Sequence, residues 1–129
     1  MKNMNFGFIL LLAVWLGAPP DTLFAQSPAN VTQLIRDSQS ALAQNKSDEA
    51  ERLARSAVDL DPAHPPAWRQ YGIVLLRGAK PKEAAVALQR AVSMDEKDAA
   101  AWRGLGQAFW ESGQQNEAVR ALSAYLRLK

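Results

Sequence analysis

Cysteine is absent from the 129 residues, which excludes disulfides, thiolate zinc sites, a cysteine nucleophile and a lipid-modified cysteine near the start of the chain. Histidine occurs once, as His64 in Asp61-Pro62-Ala63-His64-Pro65-Pro66, with no partners at metal-ligand spacing, so it reads as an exposed turn residue. No metal or other cofactor is implied. Fifteen basic and 13 acidic residues leave a charge of only +2, and no polybasic run offers a track for a phosphate backbone, which argues against nucleic acid as a partner. There is no nucleophile elbow and no glycine-rich phosphate loop. The acidic pairs Asp48-Glu49 and Asp95-Glu96 sit at a helix start and a linker, so neither reads as a general acid and base. No catalytic residue is indicated, and the expectation is a protein that is not an enzyme.

Long apolar runs are also missing, save one. Phe6 to Ala18 (FGFILLLAVWLGA) follows Lys2 and precedes Pro19-Pro20 and a small, polar stretch, the layout of a cleavable export signal. A bilayer-spanning helix needs roughly 20 apolar residues, so this run is short for a permanent anchor. The preferred cleavage point follows Ala25, since Ala18 is followed by proline. The expected organisation is a leader over 1–25, a short segment over 26–30 and a folded part over 31–129, exported to a periplasmic or extracellular space.

What the chain does have is a repeat of 34 residues. Trp68 and Trp102 lie 34 apart, as do Gly72 and Gly106, Glu83 and Glu117, Ala84 and Ala118, and Leu88 and Leu122. One more step back gives a degenerate copy with Leu34, Ser38, Glu49, Ala50 and Ala54, closing at Leu60-Asp61-Pro62. Trp68, Tyr71, Gly72 and Leu75 follow the i, i+3, i+4, i+7 spacing of one helical stripe, repeated by Trp102, Leu105, Gly106 and Phe109. Both stripes are expected to be core. Glycine costs roughly 1 kcal/mol in a helix interior, so Gly72 and Gly106 suggest close helix approach. Turn signals at Asn45-Lys46-Ser47, Gly78-Ala79-Lys80-Pro81 and Ser112-Gly113 divide the units. The spacing predicts helices over 30–44, 47–60, 65–77, 81–94, 99–111 and 115–127.

These residues resemble the tetratricopeptide repeat pattern of tryptophan, leucine-glycine, tyrosine, alanine and phenylalanine at a 34-residue period. The first copy departs from it at Leu34, Ser38 and Ala41, and the third at Tyr125. The resemblance implies an all-α solenoid of three antiparallel helix pairs (31–64, 65–98, 99–129) in a right-handed superhelix. It also implies that Trp68, Gly72, Ala84, Trp102, Gly106 and Ala118 are structural, and that a peptide or protein partner lies across the first helices.

The stripe opposite the core would line that groove, with Thr32, Ile35, Gln39 and Leu42, then Pro66, Arg69, Ile73 and Leu76, then Ala100, Arg103, Gln107 and Trp110, and with Arg77 and Glu111 beside the ends. Arg69 and Arg103 hold equivalent places and are expected to receive an acidic group together. Trp110, with no assigned core partner, is the candidate anchor. In the chaperone-tail clamp of some family members, lysine, asparagine and arginine occupy groove positions that here carry Ile35, Gln39, Gln70, Ala100 and Gly104, so that clamp is not encoded.

Repeat stacks usually need a polar terminal element. The last unit has none before Lys129, which would leave Leu122, Tyr125 and Leu126 partly uncovered and suited to association with a partner or a second copy. Two functions follow as expectations: an exported adaptor or scaffold binding through the groove, or a structural accessory subunit or homo-oligomer using the uncapped end.

Overall fold

The computed structural model describes residues 28–129, so the expected leader over 1–25 and the cleavage point after Ala25 lie outside the described residues. Among the described residues there are six α-helices and no strand: α1 (Pro28–Ala43), α2 (Ser47–Leu60), α3 (Pro65–Arg77), α4 (Pro81–Met94), α5 (Ala99–Glu111) and α6 (Gln115–Arg127). The 34-residue period locates α2 to α6 at the expected boundaries; α1 begins two residues earlier and ends one earlier than expected.

Local chemistry explains the boundaries. Prolines open α3 and α4, where the missing N–H costs nothing. Asp48 and Glu49, Glu83, and Glu117 lie in the first turns of α2, α4 and α6, complementing the helix dipoles. Within each hairpin the first helix stops the same way three times. Asn45, Ala79 and Gly113 adopt φ of 60°, 59° and 85°. The following N–H then reaches back five residues, from Lys46 to Ala41 O (2.9 Å), Lys80 to Leu75 O (2.9 Å) and Gln114 to Phe109 O (2.8 Å). This left-handed stop favours glycine, yet only Gly113 supplies one; Gly78, adjacent to the second stop, keeps a negative φ.

Between hairpins the stops are also repeated. Asp61 and Asp95 end α2 and α4, and their Oδ1 atoms accept from the N–H groups of Ala63 and Lys97, both at 3.1 Å. Trp68 and Trp102 then donate Nε1–H to Pro62 O (2.7 Å) and Glu96 O (2.8 Å). These tryptophans are therefore not the fully interior residues the stripe suggests. Each is half-buried, its ring packed on the apolar cluster and its polar edge turned to the linker.

Helices pack sequentially into three antiparallel hairpins. The first helices α1, α3 and α5 touch one another in a row, while α2, α4 and α6 stack behind them with at most marginal mutual contact. The core is built largely from alanine: Ala50, Ala54, Ala57, Ala84, Ala91, Ala101, Ala108 and Ala118 are all fully buried. Small side chains let the helices approach closely. At Gly72 a Cβ would overlap Leu88 Cγ, and at Gly106 it would lie 2.6 Å from Leu122 Cγ. The first hairpin solves the same crossing differently. Ser38 replaces glycine and Ala54 replaces leucine, and the buried Ser38 hydroxyl donates to Ala50 O (2.8 Å) while accepting from Gln70 Nε2 (3.1 Å).

Candidate interaction groove

The first helices are short, parallel neighbours, so side chains projecting away from the second helices line a furrow. Between α3 and α5 this furrow deepens into a depression of about 140 Å³ lined by Ile73, Leu76, Arg77, Ala100, Arg103, Gly104 and Gln107. Six of the expected groove residues are thus brought together: Ile73, Leu76, Arg77, Ala100, Arg103 and Gln107. Gly104 joins them; a Cβ there would crowd Leu88 Cδ1 at 3.2 Å while making only ordinary contact with Leu76 Cδ1 at 3.9 Å.

Other expected groove residues lie elsewhere. Ile35 is a correction: it is buried with Val31, Ala57, Val58 and Ala67, and is not free to meet a partner. Ile35 and Arg69, one period apart, both point at the next first helix rather than into open space, and Ile35 is covered by α3. Gln39 is exposed but does not line the depression.

Arg69 is a second correction. It holds the same position as Ile35, and its Nη1 donates to Asp98 Oδ2 at 2.7 Å. Asp98 is almost fully buried, and its Oδ1 accepts from Ala101 N at 3.1 Å, capping α5. Arg69 is thereby spent on an internal carboxylate, since a buried charge is tolerable only when paired. It does not share a ligand with Arg103. The period left this pair unseen: the counterpart of Asp98 one unit earlier is His64, and no matching pair precedes it.

The depression keeps two cations whose charge is not so used. Arg77 and Arg103 are exposed, with no carboxylate at ion-pair distance among the described residues. Gln107 donates to Glu111 Oε1 at 2.8 Å. Trp110, 60% exposed, stands further along α5, beyond the lining itself. A wider depression of about 280 Å³, lined by Asp48, Glu51, Arg52, Arg55 and Lys80, offers less. There Glu51 already accepts from Arg55 (2.9 Å) and Lys80 (3.0 Å), and the carboxylate raises the pKa of the lysine.

No curated protein matches this sequence. Solved structures match its fold. The second repeat domain of Spaghetti (RPAP3), bound to the HSP90 peptide SRMEEVD, is 19% identical with a TM-score of 0.74, covering 77% of this chain and 92% of that one. MamA is 22% identical with a TM-score of 0.73 over 84% of this chain and 64% of its own. The type III secretion translocator chaperone SycD of Yersinia enterocolitica is 17% identical with a TM-score of 0.73, over 79% and 77%. The family model described as tetratricopeptide repeat matches residues 38–95 and again 72–129, together more than half of the sequence. On that match, this chain belongs to the tetratricopeptide repeat family.

Proposed function

We propose that the chain is an exported protein-interaction module that holds an extended, acidic segment of a partner in the depression between α3 and α5. The observation that carries this reading is the pairing of an apolar floor, Ile73 and Leu76, with two guanidinium groups, Arg77 and Arg103, that no internal carboxylate neutralises. Arginine's planar fork suits carboxylates, and the half-buried floor supplies area that a surface ion pair alone lacks. The Spaghetti domain, in complex with a peptide carrying two glutamates and an aspartate, is a precedent within this fold. The clamp positions of chaperone-tail binders here carry Ile35, Gln39, Gln70, Ala100 and Gly104, and Ile35, Gln70 and Gly104 are buried. The ligand of this chain is therefore read as acidic but not as a chaperone tail. Export rests on the Lys2 and Phe6–Ala18 layout ahead of the repeats, and the fold itself supports a role as adaptor or scaffold rather than catalyst.

The test is a peptide array of graded charge probed with the chain, followed by titration of the best binders. Acidic peptides should bind, and Arg77→Glu with Arg103→Glu should abolish binding while leaving the helical circular dichroism spectrum unchanged. Equal binding by the double variant would overturn the groove assignment. Fusion of residues 1–30 to a reporter that is active only after export tests the leader.

A further inference from the structure

The depression between α3 and α5 lies at an internal junction, and its two walls are unequal. Ala100, Arg103, Gly104 and Gln107 follow the i, i+3, i+4, i+7 spacing of one face of α5, and Ile73, Leu76 and Arg77 the i, i+3, i+4 spacing of one face of α3. To the floor α5 gives only Ala100 and Gly104, which bring no long side chain, whereas α3 gives Ile73 and Leu76, both half-buried. One period earlier the places of Ala100 and Gly104 hold Pro66 and Gln70, and the buried Gln70 amide donates to Ser38 Oγ at 3.1 Å. The first junction fills this place with the chain's own side chain, while the second leaves about 140 Å³ open.

The size of that space is selective. A cavity of roughly 150 Å³ lined by aliphatic side chains holds a benzene molecule, so about 140 Å³ takes one side chain of leucine, methionine or phenylalanine size and is too small to enclose an indole. Burial of such a side chain outweighs an exposed ion pair, so the anchor rather than the charge sets which segments bind well. The cations are placed to read what flanks the anchor. Arg103 holds in α5 the place of Arg69 in α3, eight residues before Arg77, so in parallel helices their stems start up to roughly 12 Å apart along the furrow, with Ile73 and Leu76 between those levels. An extended chain sets the side chains two places before and two places after an anchor on the anchor's own face, roughly 13 Å apart.

We propose that the partner segment inserts one apolar side chain of leucine, methionine or phenylalanine size into this depression, with an acidic residue two places before it and another two places after it, received one each by Arg103 and Arg77. This specificity rests on the acidic-segment reading of the groove and narrows it from net charge to a spaced motif.

The probe is the end-blocked peptide Gly-Ser-Glu-Ser-Leu-Ser-Glu-Ser-Gly, titrated into the isotope-labelled full chain with the Ile73 and Leu76 methyl signals as the NMR readout. Saturable shifts of both are expected. With serine in place of the leucine the peptide should bind at least about tenfold more weakly, and with both glutamates on the same side of the leucine about threefold more weakly. Ala100 is exposed at the edge of the depression, so Ala100→Leu should keep its fold while occupying the anchor's place. That variant should bind the leucine and serine peptides alike. Equal binding of the two peptides by the unaltered chain would overturn the anchor and leave the acidic reading standing. A preference for leucine that survives Ala100→Leu would also overturn it, since the anchor would then sit elsewhere. Indifference to the side on which the glutamates lie would overturn the flanking placement. Failure of every acidic peptide, with or without leucine, would overturn the groove reading and this specificity with it.

Discussion

The junction between the first and second hairpins and that between the second and third solve one packing problem with opposite allocations of volume. At the second junction, the large residue sits on the second helix: Leu88 fills the space opened by Gly72 and Gly104. At the first, that place holds Ala54, and the volume comes instead from Ser38 and Gln70, the counterparts of those glycines. The apolar solution needs only shape. The polar one also needs hydrogen bonds, and obtains them from the Ser38 hydroxyl, the Gln70 amide and the Ala50 carbonyl, with no buried side-chain polar atom unsatisfied among the described residues. Close packing therefore constrains the sum of side chains at a crossing more tightly than any one of them.

The sharpest test contrasts Leu88 with Leu122. Leu88→Ala should cost about 3–5 kcal/mol, because it empties a fully enclosed site, whereas Leu122→Ala should cost about half or less. Urea unfolding followed by circular dichroism measures both. Next, Gly72→Ala should cost about 1–3 kcal/mol by overpacking against Leu88. Gly106→Ala should cost less, since Leu122 has an open side towards which to move. Equal losses at the two glycines would break the comparison.

At the polar junction, Ser38→Ala removes the acceptor of the buried Gln70 amide and should cost about 1–3 kcal/mol. The triple change Ser38→Gly, Ala54→Leu and Gln70→Gly transplants the apolar solution, and should cost less than the sum of its single changes by about 0.5 kcal/mol or more. A strictly additive result would mean that the volumes are not exchanged. Ala79→Gly should stabilise by about 1 kcal/mol, as it relieves an L-residue held at φ of 59°; the thermal midpoint reads this directly. The smallest effect is expected from Lys80→Ala, which breaks an exposed link between hairpins to Glu51. The raised pKa of Lys80 places that contribution at neutral pH, and it should fade as pH rises through and above the ordinary lysine range. Salt should erase the difference between variant and parent.

The helices were legible in the sequence because their signals are local and repeated. Proline at Pro65 and Pro81, the turn residues and the i, i+3, i+4, i+7 stripes each act within a few positions, and the 34-residue period averages out their individual weakness. The groove was half legible for the opposite reason. Its direction follows from helical phase, which located Ile73, Leu76, Arg77, Ala100, Arg103 and Gln107. Which positions stay open depends on what the next hairpin brings, and this is not periodic. Ile35 is lost beneath α3, and Arg69 to an aspartate 29 residues away whose counterpart in the preceding unit is His64. The tryptophans were misjudged as interior because composition shows their apolar area and not the indole N–H, whose acceptor is a backbone carbonyl with no side-chain signature. Ser38 and Ala54 looked like decay of the repeat when each was considered singly; their compensation appears only with Gln70 beside them.

The indole bonds of Trp68 and Trp102 give each junction its own clock. Both protons are held by the loop that joins one hairpin to the next, so neither can exchange with solvent until that loop lifts or the ring swings out. Their two exchange rates, resolved in one spectrum, therefore report how often each linker opens, and a large difference between them would show that the two linkers do not open together.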